Sequence, residues 1–262
     1  MNLGAFSIST ASPLMHVILI PGFWLDEASW APITRSLREA GHTVHPLTLP
    51  GLHRDDTDRG AITLADHVAA VVDVVDSLTR DYDCEDDAAH GQVAPPIVLV
   101  AHSGGGPIAH AVADARPTCL ARIVHVDTVP LPHGMPINTD LPTIDGEIPL
   151  PDWSVFDDED LVDLTDELRS TFRRIAIPQP ARVASDPQNL STPARFSVPA
   201  TVICCEFSSE QLRAWMRDDE PFASEVARLD DLELVDLPTG HWPQFTKPAE
   251  LADAIITAVH RS

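Results

Sequence analysis

The sequence predicts an α/β fold, a mostly parallel central sheet flanked by helices, and three observations predict it. Apolar runs of strand length recur at 15–20, 43–47, 97–101, 123–126, 201–205 and 232–235. Helix-period segments separate most of them, the alternation that places helices on both faces of a parallel sheet. The run Ile97-Val98-Leu99-Val100 is apolar at every position. A strand covered on both faces must be, so this one belongs in the middle.

Composition bounds the partners. The chain has 262 residues, with 17 Lys+Arg against 40 Asp+Glu and a formal charge of −23. Such a surface repels phosphate backbones and anionic lipid, so neither nucleic acid nor membrane is expected as a partner. With 44 % hydrophobic and 22 % charged residues, the chain reads as one globular domain with a single elaboration. No run approaches the roughly 20 apolar residues of a membrane span, so a soluble protein is expected. The remaining partner is a small-molecule substrate, and the sequence leaves monomer and homodimer open.

In chain order, residues 1–14 hold no Lys or Arg and no sustained apolar core. They fit neither a secretory signal nor a transit peptide and read as a loose tail. Thr63 can cap a helix that lines up Leu64, His67, Val68, Val71, Val75 and Leu78, with Asp66 placed for a capping box. Residues 81–96, acidic and then Pro-rich, read as a surface loop. The stretch 128–198 breaks the alternation: it is dense in Pro and Asp, with one good helix expected at about 157–177. Segments this long inside compact domains tend to be lids. It is expected to be a cap over the strand ends, leaving 15–127 and 199–262 as the core. A final helix at about 247–260 opens with Pro248 and aligns Leu251, Ile255 and Val259. Cys84, Cys119, Cys204 and Cys205 have no C-x-x-C spacing. Thiols in a reducing cytoplasm fit that pattern best.

The chemistry concentrates where the central strand ends. Ala101-His102-Ser103-Gly104-Gly105 places a serine between small residues, after an apolar strand and before an apolar-periodic helix. That is the context of a nucleophile elbow, whose turn is too tight for bulky neighbours. Ser103 would stand exposed at the strand end. The Gly104 N–H, at the start of the helix, would point to where an oxyanion forms. The competing reading, a phosphate-binding glycine turn, fits poorly. Pro107 follows the glycines without a third spaced Gly, and no Gly-Lys pair is present.

From residue 15 to the C-terminus the chain resembles the α/β-hydrolase superfamily. That resemblance implies a cap between the sixth and seventh strands of the fold. Ile20-Pro21-Gly22-Phe23-Trp24 looks like the family's oxyanion loop, with Pro21 where His is commoner, and it implies the Phe23 N–H as the second oxyanion donor. Leu49-Pro50-Gly51-Leu52 resembles the loop after the next strand. Thr239-Gly240-His241-Trp242 resembles the segment that brings the family's base to the serine. Imidazole suits that task because its ordinary pKa, about 6.5, lets it take and return a proton near neutrality.

The acid departs from the commonest pattern, since Phe207 stands where an aspartate might be expected after the 201–205 strand. Asp127, at the end of the preceding strand, is preferred, with Glu206 as the alternative. A carboxylate is needed to hold the base in one tautomer and to stabilise the imidazolium.

His102, beside the serine, reads as a packing or hydrogen-bonding residue near the pocket. His42, His45 and His53 lack metal-site spacing, and no metal or cofactor is expected. The run Asp157-Asp158-Glu159-Asp160 reads as favourable charge at a helix start. Trp24, Trp242 and Trp153, the last in the cap, suggest an apolar, partly aromatic substrate pocket. The resemblance implies a serine hydrolase that cleaves a small, largely apolar ester or lactone through an acyl-enzyme on Ser103. Two alternatives stand beside it. One is a non-hydrolytic relative, similar to hydroxynitrile lyases or cofactor-independent dioxygenases; the other is a binding protein that keeps the fold without catalysis.

Overall fold

The computed structural model describes residues 14–80 and 96–262. The N-terminal tail, but for Leu14, and the 81–96 loop, but for Pro96, lie outside the described residues. In chain order the elements are β1 (His16–Ile20), α1 (Ala31–Glu39), β2 (Thr43–Pro46), α2 (Leu64–Arg80), β3 (Ile97–His102), α3 (Gly105–Ala115) and β4 (Leu120–Val126). There follow β5 (Glu147–Ile148), α4 (Asp166–Ile175), β6 (Gln179–Pro180) and α5 (Ala181–Ser185). The chain ends with β7 (Ala200–Cys204), α6 (Ser209–Arg217), β8 (Leu232–Asp236), α7 (Pro243–Thr246) and α8 (Pro248–Val259).

Six strands form one parallel sheet in the order β2-β1-β3-β4-β7-β8. Strand β3 lies inside it, with Leu99 registered on Ile18 of β1 and Ile123 of β4. Alternate side chains feed two cores. Ile18, Ile20, Leu99 and Ala101 pack with Val71 of α2 and Ile108 and Val112 of α3. Val17, Leu19, Val98 and Val100 pack with Leu37 of α1 and Leu251 and Ile255 of α8 on the other face. Helices therefore cover both sides, as continuous apolar strands require. None of the described helices is long and apolar enough to cross a membrane.

The capping box at the start of α2 is formed. Asp66 N–H donates to Thr63 Oγ1 at 3.1 Å, and Thr63 N–H to Asp66 Oδ2 at 2.8 Å. Two expectations need correction. Residues 128–198 leave the sheet after its fourth strand in chain order and re-enter at its fifth, not between a sixth and a seventh. The helix expected at about 157–177 spans only Asp166–Ile175. Asp163 takes the left-handed conformation, φ 63°, and breaks the path, while the Thr165 side chain accepts from Leu168 N–H and starts the helix afresh. The acidic run 157–160 is thus a turn and not a helix start.

Candidate active site

The C-terminal end of β3 turns into α3 through Ser103, whose φ of 50° lies in the left-handed region. For an L-residue that conformation costs roughly 1–3 kcal/mol, so the surrounding packing must enforce it. A Cβ at Gly105 would come within 2.8 Å of the Pro21 carbonyl, one at Gly104 would enter the Phe23 ring, and one at Gly106 would enter Thr128. Only bare backbone lets β3 turn here. Ser103 N–H donates to Val126 O at 3.2 Å and Gly106 N–H to Ser103 O at 2.9 Å. Among the described residues, the N–H groups of Phe23 and Gly104 donate to no main-chain oxygen. Both residues border the same cavity as Ser103.

His241 arrives from the loop between β8 and α7. Its Nε2 lies 2.8 Å from Ser103 Oγ, and its Nδ1 lies 2.8 Å from Asp127 Oδ2. Asp127 is 2 % exposed. Its other oxygen accepts from Cys205 N–H at 2.8 Å and Glu206 N–H at 3.0 Å, which fixes the carboxylate toward the ring. The second carboxylate is also present: Glu206 Oε2 meets Nδ1 at 2.9 Å. Asp127 takes the imidazole hydrogen bond, whereas Glu206 faces the nitrogen as an ion pair. The two candidate acids therefore flank one ring. Burial pushes the His241 pKa down, but the charge of Glu206 and the hydrogen bond to Asp127 outweigh it and hold it well above 6.5.

His102 does not reach the cavity. It is fully buried, with Nε2–H donating to the His241 carbonyl at 2.7 Å and Nδ1 facing Gln244 Nε2 at 3.3 Å. Burial, with the nearby His241 charge, takes its pKa to about 3, so it is a neutral ring that holds the main chain of His241. Trp153 also stands off the cavity, packed between Phe156, Phe172 and Trp242 at ring centroid distances of 5.6–5.8 Å. Its place at the wall is taken by Phe156, a neighbour that no pattern distinguished. Trp24 and Trp242 do line the cavity, and Trp24 Nε1–H donates to Ile148 O at 3.0 Å.

The cavity holds about 580 Å³. Ile137, Leu141, Val155 and Phe156 of the 128–198 segment face Phe207, Trp215 and Phe222 across it. Asp140, Asp157, Asp160 and Glu206 add acidic groups to the wall, and no Lys or Arg among the described residues lines it. Phe207 thus gives an aromatic wall where an acid might have stood. Non-glycine residues with positive φ include Trp24, Ser103 and Asp127, all bordering this cavity.

Among the described residues, one group of three potential metal ligands has its atoms within 4.8 Å: Asp127, Glu206 and His241. In that group His241 Nδ1 is hydrogen-bonded to Asp127 Oδ2 at 2.8 Å and stands 2.9 Å from Glu206 Oε2. His45 stacks on His16 and His42 lies against His260.

A search of curated proteins returned no match. Solved structures that share the fold include an extracellular alpha/beta-hydrolase from a Paenibacillus species, at 20% identity and TM-score 0.69, covering 93% of this chain and 98% of that one. Tomato methylketone synthase I, complexed with 2-tridecanone, has 16% identity and TM-score 0.67, with 95% and 98% covered. A pyrethroid hydrolase from Sphingobium faniae JZ-2 has 18% identity and TM-score 0.62, with 94% and 97% covered. At such identities the likeness is one of fold. The profile of the alpha/beta hydrolase family matches residues 17–254, and this chain belongs to that family.

Proposed function

We propose that the protein is a serine hydrolase that cleaves a small, largely apolar ester or lactone through an acyl-enzyme on Ser103. The observation that carries this reading is the unbroken chain from Ser103 Oγ through both nitrogens of His241 to Asp127, with each contact at 2.8 Å. His241 Nε2 takes the Ser103 proton as Oγ attacks the acyl carbon, and Asp127 stabilises the imidazolium. The free N–H groups of Phe23 and Gly104 hold the oxyanion, a contribution worth about 10²–10³ in rate per donor. His241 returns the proton to the leaving oxygen, and water then clears the acyl group by the same steps in reverse.

Residues 128–198 act as the cap, closing the cavity with Leu141 and Phe156. Uncharged acyl groups suit its aromatic walls, and its acidic residues, with no Lys or Arg beside them among the described residues, disfavour an anionic substrate. A fluorophosphonate should label Ser103, and an activated ester should give burst release. Failure of both in the folded protein overturns the reading. A non-hydrolytic reaction has one observation in its favour: the two carboxylates hold His241 toward its cationic, proton-donating form. Labelling of Ser103 without ester turnover would select that alternative.

A further inference from the structure

Two loops at the reacting end of the sheet are tied through main-chain atoms to the 128–198 segment. One carries His241, whose N–H donates to the Asp160 carbonyl at 2.8 Å, while Gly240 N–H donates to the Val162 carbonyl at 3.0 Å. The other carries Phe23, and its tie runs through the next residue. Trp24 Nε1–H donates to the Ile148 carbonyl at 3.0 Å, and the Trp24 carbonyl accepts the Ile177 N–H at 2.9 Å.

Both partners belong to one small unit. Ile148 ends β5, Ile177 stands two residues before β6, and the two strands pair antiparallel with Ile148 opposite Gln179. Buried Arg59 fastens that unit to the core. It donates to Glu147 Oε1 at 3.3 Å, to the Gly51 carbonyl at 2.6 Å and to the His53 carbonyl at 3.0 Å. The frame that Trp24 grips is thus itself anchored.

Trp24 has a conformation that such a grip explains. Its φ of 66° lies in the left-handed region, uncommon for a bulky L-residue, and hydrogen bonds from its side chain and its main chain hold it there. The ring is buried and meets Phe23 and Phe156 edge-on at 6.0 and 5.9 Å. On the other side of Phe23, Gly22 runs so close to the nucleophile that a Cβ there would stand 2.9 Å from Ser103 Cβ. The Phe23 N–H therefore lies between two pinned neighbours. An amide stabilises an oxyanion best when its direction is fixed before the charge develops.

We propose that Trp24 is a positioning residue for the oxyanion loop: its indole N–H and its carbonyl tie the loop to the β5–β6 unit and so hold the Phe23 N–H in place. The inference rests on the proposed reaction, in which that N–H receives the oxyanion. Loss of the indole N–H loosens one of the two bonds, leaves the Phe23 amide present and costs part of its effect.

The test is Trp24→Phe, which keeps an aromatic ring and removes the donor, measured on a p-nitrophenyl ester of a short apolar acid. A trifluoromethyl ketone of similar chain length supplies the second readout. Ser103 Oγ adds to its carbonyl carbon, His241 takes the proton, and the carbonyl oxygen becomes an oxyanion. In the variant kcat should fall about tenfold, the ketone's inhibition constant should rise by about the same factor, and KM should stay within about twofold. A kcat within about twofold of the parent overturns the proposal. So does a raised KM with kcat and inhibition unchanged, which would make Trp24 a pocket wall only. Should the variant not fold, hydrogen exchange in the parent supplies the test. The Trp24 indole N–H and the Ile177 amide should exchange at least about 10²-fold more slowly than in an unstructured chain, and unprotected exchange at either overturns the proposal. A parent that turns over no ester sinks the hydrolytic reading whatever Trp24→Phe does. Turnover in the parent, matched by the folded variant, sinks this inference alone.

Discussion

The rings of His110 and His241 each lie within 2.8 Å of a carboxylate oxygen, Glu225 Oε2 in one case and Asp127 Oδ2 in the other. Around His110 two arginines answer two carboxylates, Arg228 Nη1 standing 3.7 Å from Glu225 Oε1. Arg195 donates Nε–H to Glu225 Oε2 at 2.8 Å and Nη2–H to Oε1 at 3.1 Å, and its Nη1–H reaches Asp114 Oδ1 at 3.1 Å. Asp114 also accepts the N–H groups of Ser191 and Thr192, so the network pins the chain returning to β7 onto α3. Burial works against the Glu225 charge, yet the hydrogen bonds from His110 and Arg195 win and take its pKa to about 2. Around Asp127, Glu206 and Asp160 no Lys or Arg among the described residues lines the cavity, and only the His241 ring stands against them. The same residue types give a cross-link where arginines answer the carboxylates and, at the cavity, a cluster where carboxylates outnumber the one imidazole facing them.

The two regions also respond to pH with opposite signs. Glu225 is depressed below its unfolded value near 4.5, so its contribution is present above that pH and lost as pH falls through about 2. Asp160 is raised from 3.8, so its contribution is full below 3.8 and lost as pH rises through about 7. His241, raised above 6.5, likewise contributes fully below 6.5 and loses that contribution as pH rises through its folded value.

Substitutions sharpen this contrast. The largest effect is expected around His241: under the proposed reaction, Ser103→Ala or Asp127→Asn should lower kcat/KM on an activated ester about 10⁴-fold or more with the melting temperature kept. Near-parental turnover in Asp127→Asn, with collapse in Glu206→Gln, would transfer the acid's role. Glu225→Ala should do the reverse, costing about 3–5 kcal/mol in urea unfolding because Arg195 is left buried with less compensation, while kcat/KM of the folded fraction holds. A loss under about 1 kcal/mol would show the matched network to be dispensable. Gly240→Ala drives a methyl into the Asp160 carbonyl and should shift the base, with a fall in kcat/KM of about 10². The smallest effect belongs to Asp160→Asn. After discounting for solvent screening of a half-buried group, it should stabilise by about 1 kcal/mol at alkaline pH and by nothing near pH 4, as read by thermal melts.

Much of the site was legible because its local geometry depends on residues adjacent in the chain. Gly104 and Gly105 permit the Ser103 turn whatever else surrounds it, and Gly240-His241 follows a strand whose apolar pattern is plain. The alternation of apolar runs likewise suffices for a parallel sheet. Other features were not legible. The acidic run 157–160 has the composition of a helix start, but Asp163 and Thr165 move the start to Asp166. Trp153 and Phe156 are three positions apart in one loop, and only packing against Trp242 and Phe172 decides which faces the cavity.

By itself the sequence determined the sheet, the strained serine turn and the histidine that follows the last strand, because each is set by short-range sterics and by the period of apolar side chains. Tertiary structure alone decided that Asp127 and Glu206 flank a single nitrogen, that His102 faces backward to hold a carbonyl, and that the Asp160 carbonyl accepts the His241 N–H. Those outcomes depend on distances between segments far apart in the chain. No local pattern encodes such distances; the packing of the two cores and the 128–198 segment sets them.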